Sequence, residues 1–199
     1  MLCKHSLTKS LIGIFYIIMC GFSAQGFAEE IASPLYEQKI KAGLVYNLIK
    51  YTEWPKAVLT TPSQIKNNYN QASLTICLFG DDPFDGYLSP LEGRTAQQAV
   101  ISIIHVNSIP ETQNCRVIII HRNQRKQLPD LFAVLQHKNI LTISDIENFA
   151  ELGGMVELAR QEEKVVLQIN KNSVDSAKLI IDASMLKLAK IVPPKSGAQ

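Results

Sequence analysis

From Pro34 to Tyr51 the apolar residues Tyr36, Ile40, Leu44, Leu48 and Tyr51 recur at steps of three and four, and Ser33 stands before Pro34 as a cap. That period predicts an amphipathic helix with one apolar stripe. Trp54-Pro55 closes the segment, because the residue before a proline is driven out of the helical region. Thr60 to Ala72 is polar, rich in Asn and Gln and without periodicity. It is expected to be an exposed loop within one domain.

Further along, Leu74 to Phe79, Val100 to Val106 and Arg116 to Ile120 are short apolar runs whose β-branched content predicts buried strands. Gly80-Asp81-Asp82-Pro83 reads as a turn leading into a short helix or irregular stretch to Leu91. Leu128 to Gln136 has helical spacing, with Leu128, Leu131, Phe132 and Leu135 apolar, and Ile140 to Ile143 reads as another strand. Strand, helix, strand in that order implies parallel crossovers. Asp145 is expected to cap a short helix through Leu152, broken by Gly153-Gly154, which reads as a backbone device rather than a phosphate cradle. Met155 and Glu157 alternate with Val156 and Leu158, and Val165 to Ile169 mirrors them across Arg160 to Lys164. That is a β-hairpin, so the sheet is mixed. Asn170 to Lys178 reads as helical or turn-like, and Ser184 to Ile191 as a final helix. The expected fold is a single α/β domain, a central mixed β-sheet flanked by helices, with a C-terminal hairpin and final helix. A chain of this size buries roughly 70% of its unfolded surface.

Composition narrows the class: 46% hydrophobic residues, 9 Pro and 10 Gly in 199 residues exclude disorder and collagen. The first 28 residues read as an address. Lys4, His5 and Lys9 precede the apolar run Leu11 to Met19, and Gly26-Phe27-Ala28 sets small residues at the −3 and −1 positions of a cut. This is the pattern of a secretory signal peptide, and the run is too short for the roughly 20 residues of a spanning helix. Met19 before Cys20 disfavours lipid modification. The mature chain, Glu29 to Gln199, is expected to be soluble in the periplasm. Removing Lys4 and Lys9 turns 20 basic against 18 acidic residues into 18 against 18. A neutral body argues against nucleic-acid binding.

Without that segment only Cys77 and Cys115 remain of the 4 Cys. Both sit at predicted sheet positions. An oxidising compartment allows a bridge between them, which would close a loop of roughly 40 residues and contribute about 4 kcal/mol in the loop-entropy model. Two buried free thiols are the alternative, and a zinc site lacks the ligand spacing.

The sequence contains no Gly-rich phosphate loop, G-x-S-x-G or H-E-x-x-H. No catalytic residue, metal or cofactor is assigned. His105 and His121 fall at the C-terminal ends of predicted strands, where open α/β sheets place ligands. With Asp81 and Asp82 they are candidate ligand-binding residues, against a plainer reading as strand-end and capping groups.

The run Lys41-Ala42-Gly43-Leu44-Val45-Tyr46-Asn47-Leu48-Ile49-Lys50-Tyr51-Thr52-Glu53-Trp54-Pro55 resembles the opening helix of the YfiR-like family of periplasmic proteins. Four blocks follow in that family's order: Ile76 to Phe84, Cys115 to Ile120, Leu141 to Asp145 with Phe149-Ala150 and Gly153-Gly154-Met155, and Leu167 to Asn170 leading to Ser184 to Ala189. The resemblance spans about residues 36 to 192. It implies a regulator, not an enzyme: a periplasmic repressor that holds an inner-membrane diguanylate cyclase inactive through its periplasmic domain. Such a repressor is relieved by an OmpA-like outer-membrane lipoprotein, and it lowers cyclic-di-GMP and biofilm formation. A homodimer is compatible with this reading. The resemblance also implies that Cys77 and Cys115 form the family's bridge, while a second Cys pair around Asp145 to Leu152 is missing. Tyr46, Tyr51 and Trp54 on the opening segment are candidate partner-binding residues. A small-ligand receptor serving a transporter or outer-membrane receptor is the alternative function.

Overall fold

The computed structural model describes residues 34–55 and 72–193. The expected leader, the cap Ser33 and loop residues 60–71 lie outside these. Helix α1 (Pro34–Lys50) carries Glu37 in its first turn and Lys50 in its last, the polarity that a helix dipole favours. It stops short of Trp54-Pro55 because β1 (Thr52–Glu53) pairs antiparallel with β9 (Ile180–Ile181), Thr52 opposite Ile181.

The central strands are β2 (Ser73–Phe79), β3 (Thr95–Ala96), β4 (Ala99–Val106), β5 (Val117–Ile120), β6 (Leu141–Ser144), β7 (Val156–Gln161), β8 (Lys164–Ile169) and β10 (Ala189–Ile191). They form one sheet in the order β10-β8-β7-β6-β5-β2-β4-β3. The β4-β2-β5-β6-β7 stretch is parallel, while β7-β8 and β3-β4 are antiparallel, so the sheet is mixed as expected. Helices α2 (Leu128–Leu135), α3 (Lys171–Ser176) and α4 (Ala183–Leu188) complete the chain.

Alternation along the strands divides the interior in two. Ile76, Leu78, Val117, Ile119, Leu141 and Ile143 face the core covered by α1. Cys77, Phe79, Ile118 and Ile120 face a second core closed by Leu128 and Leu131 of α2 and by Phe149. Strands buried on both faces read as continuous apolar runs, which is why these were recognisable in the sequence.

Three expectations are corrected. The helix stripe is turned: Lys41, Ala42, Val45, Leu48 and Ile49 are buried, while Tyr36, Ile40 and Tyr51 are exposed. Residues 145–153 form turns instead of a helix. There Ser144 Oγ accepts the Ile146 N–H at 3.0 Å, Asn148 adopts φ 61°, and the Asp145 side chain is engaged elsewhere. The final helix ends at Leu188. Residues 189–191 extend instead, because the free edge of β8 offers backbone partners and Ala189 pairs with Leu167.

Candidate functional site

The strand-end cleft proposed from the sequence lies between β2 and β5. Phe79 is followed by Gly80-Asp81 and Ile120 by His121, so both segments emerge at the same sheet edge. Asn123 Nδ2 donates to Asp81 Oδ2 at 2.9 Å, and His121 Nδ1 lies 3.8 Å from the same carboxylate. His121 Nδ1 also accepts the Asn123 N–H at 3.3 Å. A Cβ on Gly80 would stand 2.5 Å from Asn123 Oδ1, so glycine is needed for this approach, all the more at its φ of +90°. The exposed Asn123 side chain thus sits against Gly80 and bonds Asp81. Asp82 performs the plainer role: its carboxylate accepts the N–H groups of Phe84 and Gly86 at 2.9 and 2.8 Å. His105 lies exposed on β4, opposite Leu78, and no interaction joins it to His121 among the described residues. No group of three or more His, Cys, Asp or Glu is placed to hold a metal among those residues.

Of the candidate partner residues, Tyr51 is exposed, Tyr46 is half-buried against the core, and Trp54 is buried within it. Only Tyr51 presents a ring to solvent. The expected bridge is present: Cys77 and Cys115 are joined, with their Cα atoms 5.8 Å apart, within the ordinary span for a disulfide. It ties β2 to the segment entering β5.

A site that sequence reading missed surrounds Lys41. This lysine falls on the buried face of α1, its side chain 3% exposed beside the 2% exposed side chain of Asp145. Its Nζ donates to Asp145 Oδ2 at 3.0 Å and lies 2.7 Å from Glu37 Oε1. Arg122 reaches the same Asp145 oxygen at 2.7 Å, and Arg160 reaches Glu37 Oε2 at 3.1 Å. Five side chains of alternating charge therefore run from the end of β5 through α1 to β7. Burial of an ionised group is costly unless a partner compensates it. Here each buried charge has an opposite on either side.

Beside this chain an open groove of ≈ 680 Å³ lies between α1, the turn after β6 and strands β7 and β8. Glu157 lines it, and the carboxylate accepts the N–H groups of Asn148 and Ala150 at 3.1 and 3.2 Å. Burial raises the Glu157 pKa above the ordinary carboxylate value, against the lowering effect of those two hydrogen bonds. Arg125 Nη1 donates to the Glu147 carbonyl at 2.8 Å on the rim. Chemically this is a place for polar recognition. The signal that could have found it was Lys41 itself, a charge at a core position of a helix.

The YfiR/HmsC-like family model matches residues 38–190, which is most of the chain. The chain belongs to the YfiR/HmsC-like family. Its bridge, both buried cores and the Lys41–Asp145 pair all fall within the matched residues. No curated protein matches the chain. Among solved structures, one similar chain is described as the ABC domain in complex with L-Trp from Streptococcus pneumonia. The TM-score is 0.44 at 12% identity, over 62% of this chain and 56% of that one. The chain thus spans little more than half of that protein. Among the described residues of this YfiR/HmsC-like chain, no helix is long and apolar enough to cross a membrane.

Proposed function

We propose that this chain is a periplasmic regulatory protein that represses an inner-membrane diguanylate cyclase by binding its periplasmic domain, lowering cyclic-di-GMP and biofilm formation. The observation that carries this reading is the family match over residues 38–190. A disulfide inside the core supports it, since such bridges persist in oxidising compartments. In this reading the leader is removed before Glu29 and the mature domain acts as one unit without catalysis. An OmpA-like outer-membrane lipoprotein relieves the repression by sequestering it.

A repressor of this kind works only through unequal affinity for two states of its partner. Swinging the cyclase from almost wholly active to almost wholly inactive takes about 5.5 kcal/mol of difference. Contact area with apolar anchors supplies such selectivity. Leu35, Tyr36 and Ile40 on α1, and Tyr51 just after it, are exposed, and they are the anchors favoured here over Trp54. The test is calorimetric titration of the oxidised chain against the isolated periplasmic domains of the cell's inner-membrane cyclases. Saturable binding to one of them is expected, weakened at least about tenfold, or 1.4 kcal/mol, by Tyr36→Ala with Tyr51→Ala. No binding to any of them would overturn the proposal.

A further inference from the structure

The groove beside Lys41 has functions that the fold leaves unused. Its carboxylates are mostly committed: Glu37 to Lys41 and Arg160, Glu157 to two backbone N–H groups, and Asp145 Oδ2 to Lys41 and Arg122. Two buried oxygens are not. Asp145 Oδ1 and Gln38 Oε1 receive no hydrogen bond among the described residues, and both residues line the groove. Buried acceptors are ordinarily satisfied, so a pair of orphans in one groove asks for a donor from elsewhere.

The rim has the opposite surplus. Arg122 has its side chain 65% exposed and, among the described residues, donates to Asp145 Oδ2 alone. Among those residues Arg125 donates to the Glu147 carbonyl alone. A guanidinium carries five N–H donors in a fork that matches a carboxylate. The two arginines follow the carboxyl end of β5 and Asp145 follows that of β6, the edge at which open α/β sheets receive ligands. The volume, ≈ 680 Å³, lies in the range of small-molecule sites.

From this division of donors and acceptors we infer that the groove binds a small polar organic acid that also carries a hydroxyl or ammonium group. The carboxylate is taken by Arg122 and Arg125, and the donor by Asp145 Oδ1 and Gln38 Oε1. Arg122 is the exposed partner of Asp145 Oδ2, so its turn toward the ligand carboxylate is the movement that would open Asp145 to the ligand. An anion without a donor leaves the floor acceptors unmet, and a plain cation meets the arginines at the rim.

The experiment is isothermal titration of the oxidised chain with L-malate, L-serine, succinate, glycerol and sulfate, with backbone amide NMR to locate the response. L-malate or L-serine should bind saturably and shift amides of Gln38, Arg122 and Asp145, with succinate at least about tenfold weaker and glycerol and sulfate silent. Gln38→Leu should bring the better acid down to the level of succinate. Arg122→Gln should weaken every acid, and thermal unfolding verifies that both variants fold. Equal binding of succinate, an equal response to sulfate, or no saturable binding by either donor-bearing acid would overturn the inference. The measurement needs no cyclase, so its outcome is independent of the repressor proposal.

Discussion

Lys41 shows how a single position can rotate a helix. With Tyr36, Ile40, Leu44 and Leu48 as the stripe, Lys41 should lie at the edge of the buried face. Instead, ion pairs with Glu37 and Asp145 draw it beneath the helix, and Tyr36 turns outward. Periodicity ranks residues by hydrophobicity and has no term for a buried cation whose partner lies 104 residues away. Removing one member of a buried pair leaves an uncompensated charge, so Lys41→Ala should cost about 3 kcal/mol in urea unfolding. Lys41→Met combined with Asp145→Leu should recover most of that loss. A loss below about 1 kcal/mol for Lys41→Ala would contradict the pairing. Glu157 makes a prediction in pH. Its folded pKa is raised above the ordinary value of 4.5, so above that pH the native state binds more protons than the unfolded one. Stability contributed by the protonated group is present at low pH and falls as pH rises through the raised value. The stability of the protein relative to Glu157→Gln should therefore decline as pH climbs from 4.5 and then level off. A relative gain over that window would reverse the assignment.

At the scale of elements, the strands were legible because burial on both faces leaves unbroken β-branched runs such as Val117–Ile120. The turn at 145–153 was not, since Asp145 before an apolar residue resembles a cap and its real partners lie on α1 and after β5. Gly154 was recognisable as a breaker, but its reason is local packing. A Cβ there would stand 2.2 Å from Phe149 Cε1, and Phe149 is fully buried. Gly154→Ala should displace the ring and cost about 1–3 kcal/mol by denaturant unfolding, and a neutral effect would mean that the turn yields freely. The Cys77–Cys115 bridge joins segments 38 residues apart. Cys77→Ser with Cys115→Ser should lower stability by roughly 2–5 kcal/mol. An unchanged urea midpoint in the double variant would remove the bridge from the stabilising interactions.

For the whole molecule, the order of apolar runs and helical spacings pointed to the α/β class and five sequence blocks to the family, while the groove stayed hidden. Its lining comes from α1, the segment after β5, the turn after β6, β7 and β8. Only the topology brings those pieces together, so Lys41, a charge beside the apolar stripe of α1, was the one sign of them along the chain. Asp81 and His121 come near each other after β2 and β5, and the bond from Asn123 to Asp81 beside them was not foreseen. The central claim concerns the cell. Cyclic-di-GMP quantified by mass spectrometry in a strain lacking this gene, and in that strain supplied with exported or leaderless protein, tests it most directly. The account predicts a rise on deletion that only the exported form reverses; unchanged cyclic-di-GMP on deletion, or full reversal by the cytoplasmic form, would contradict it.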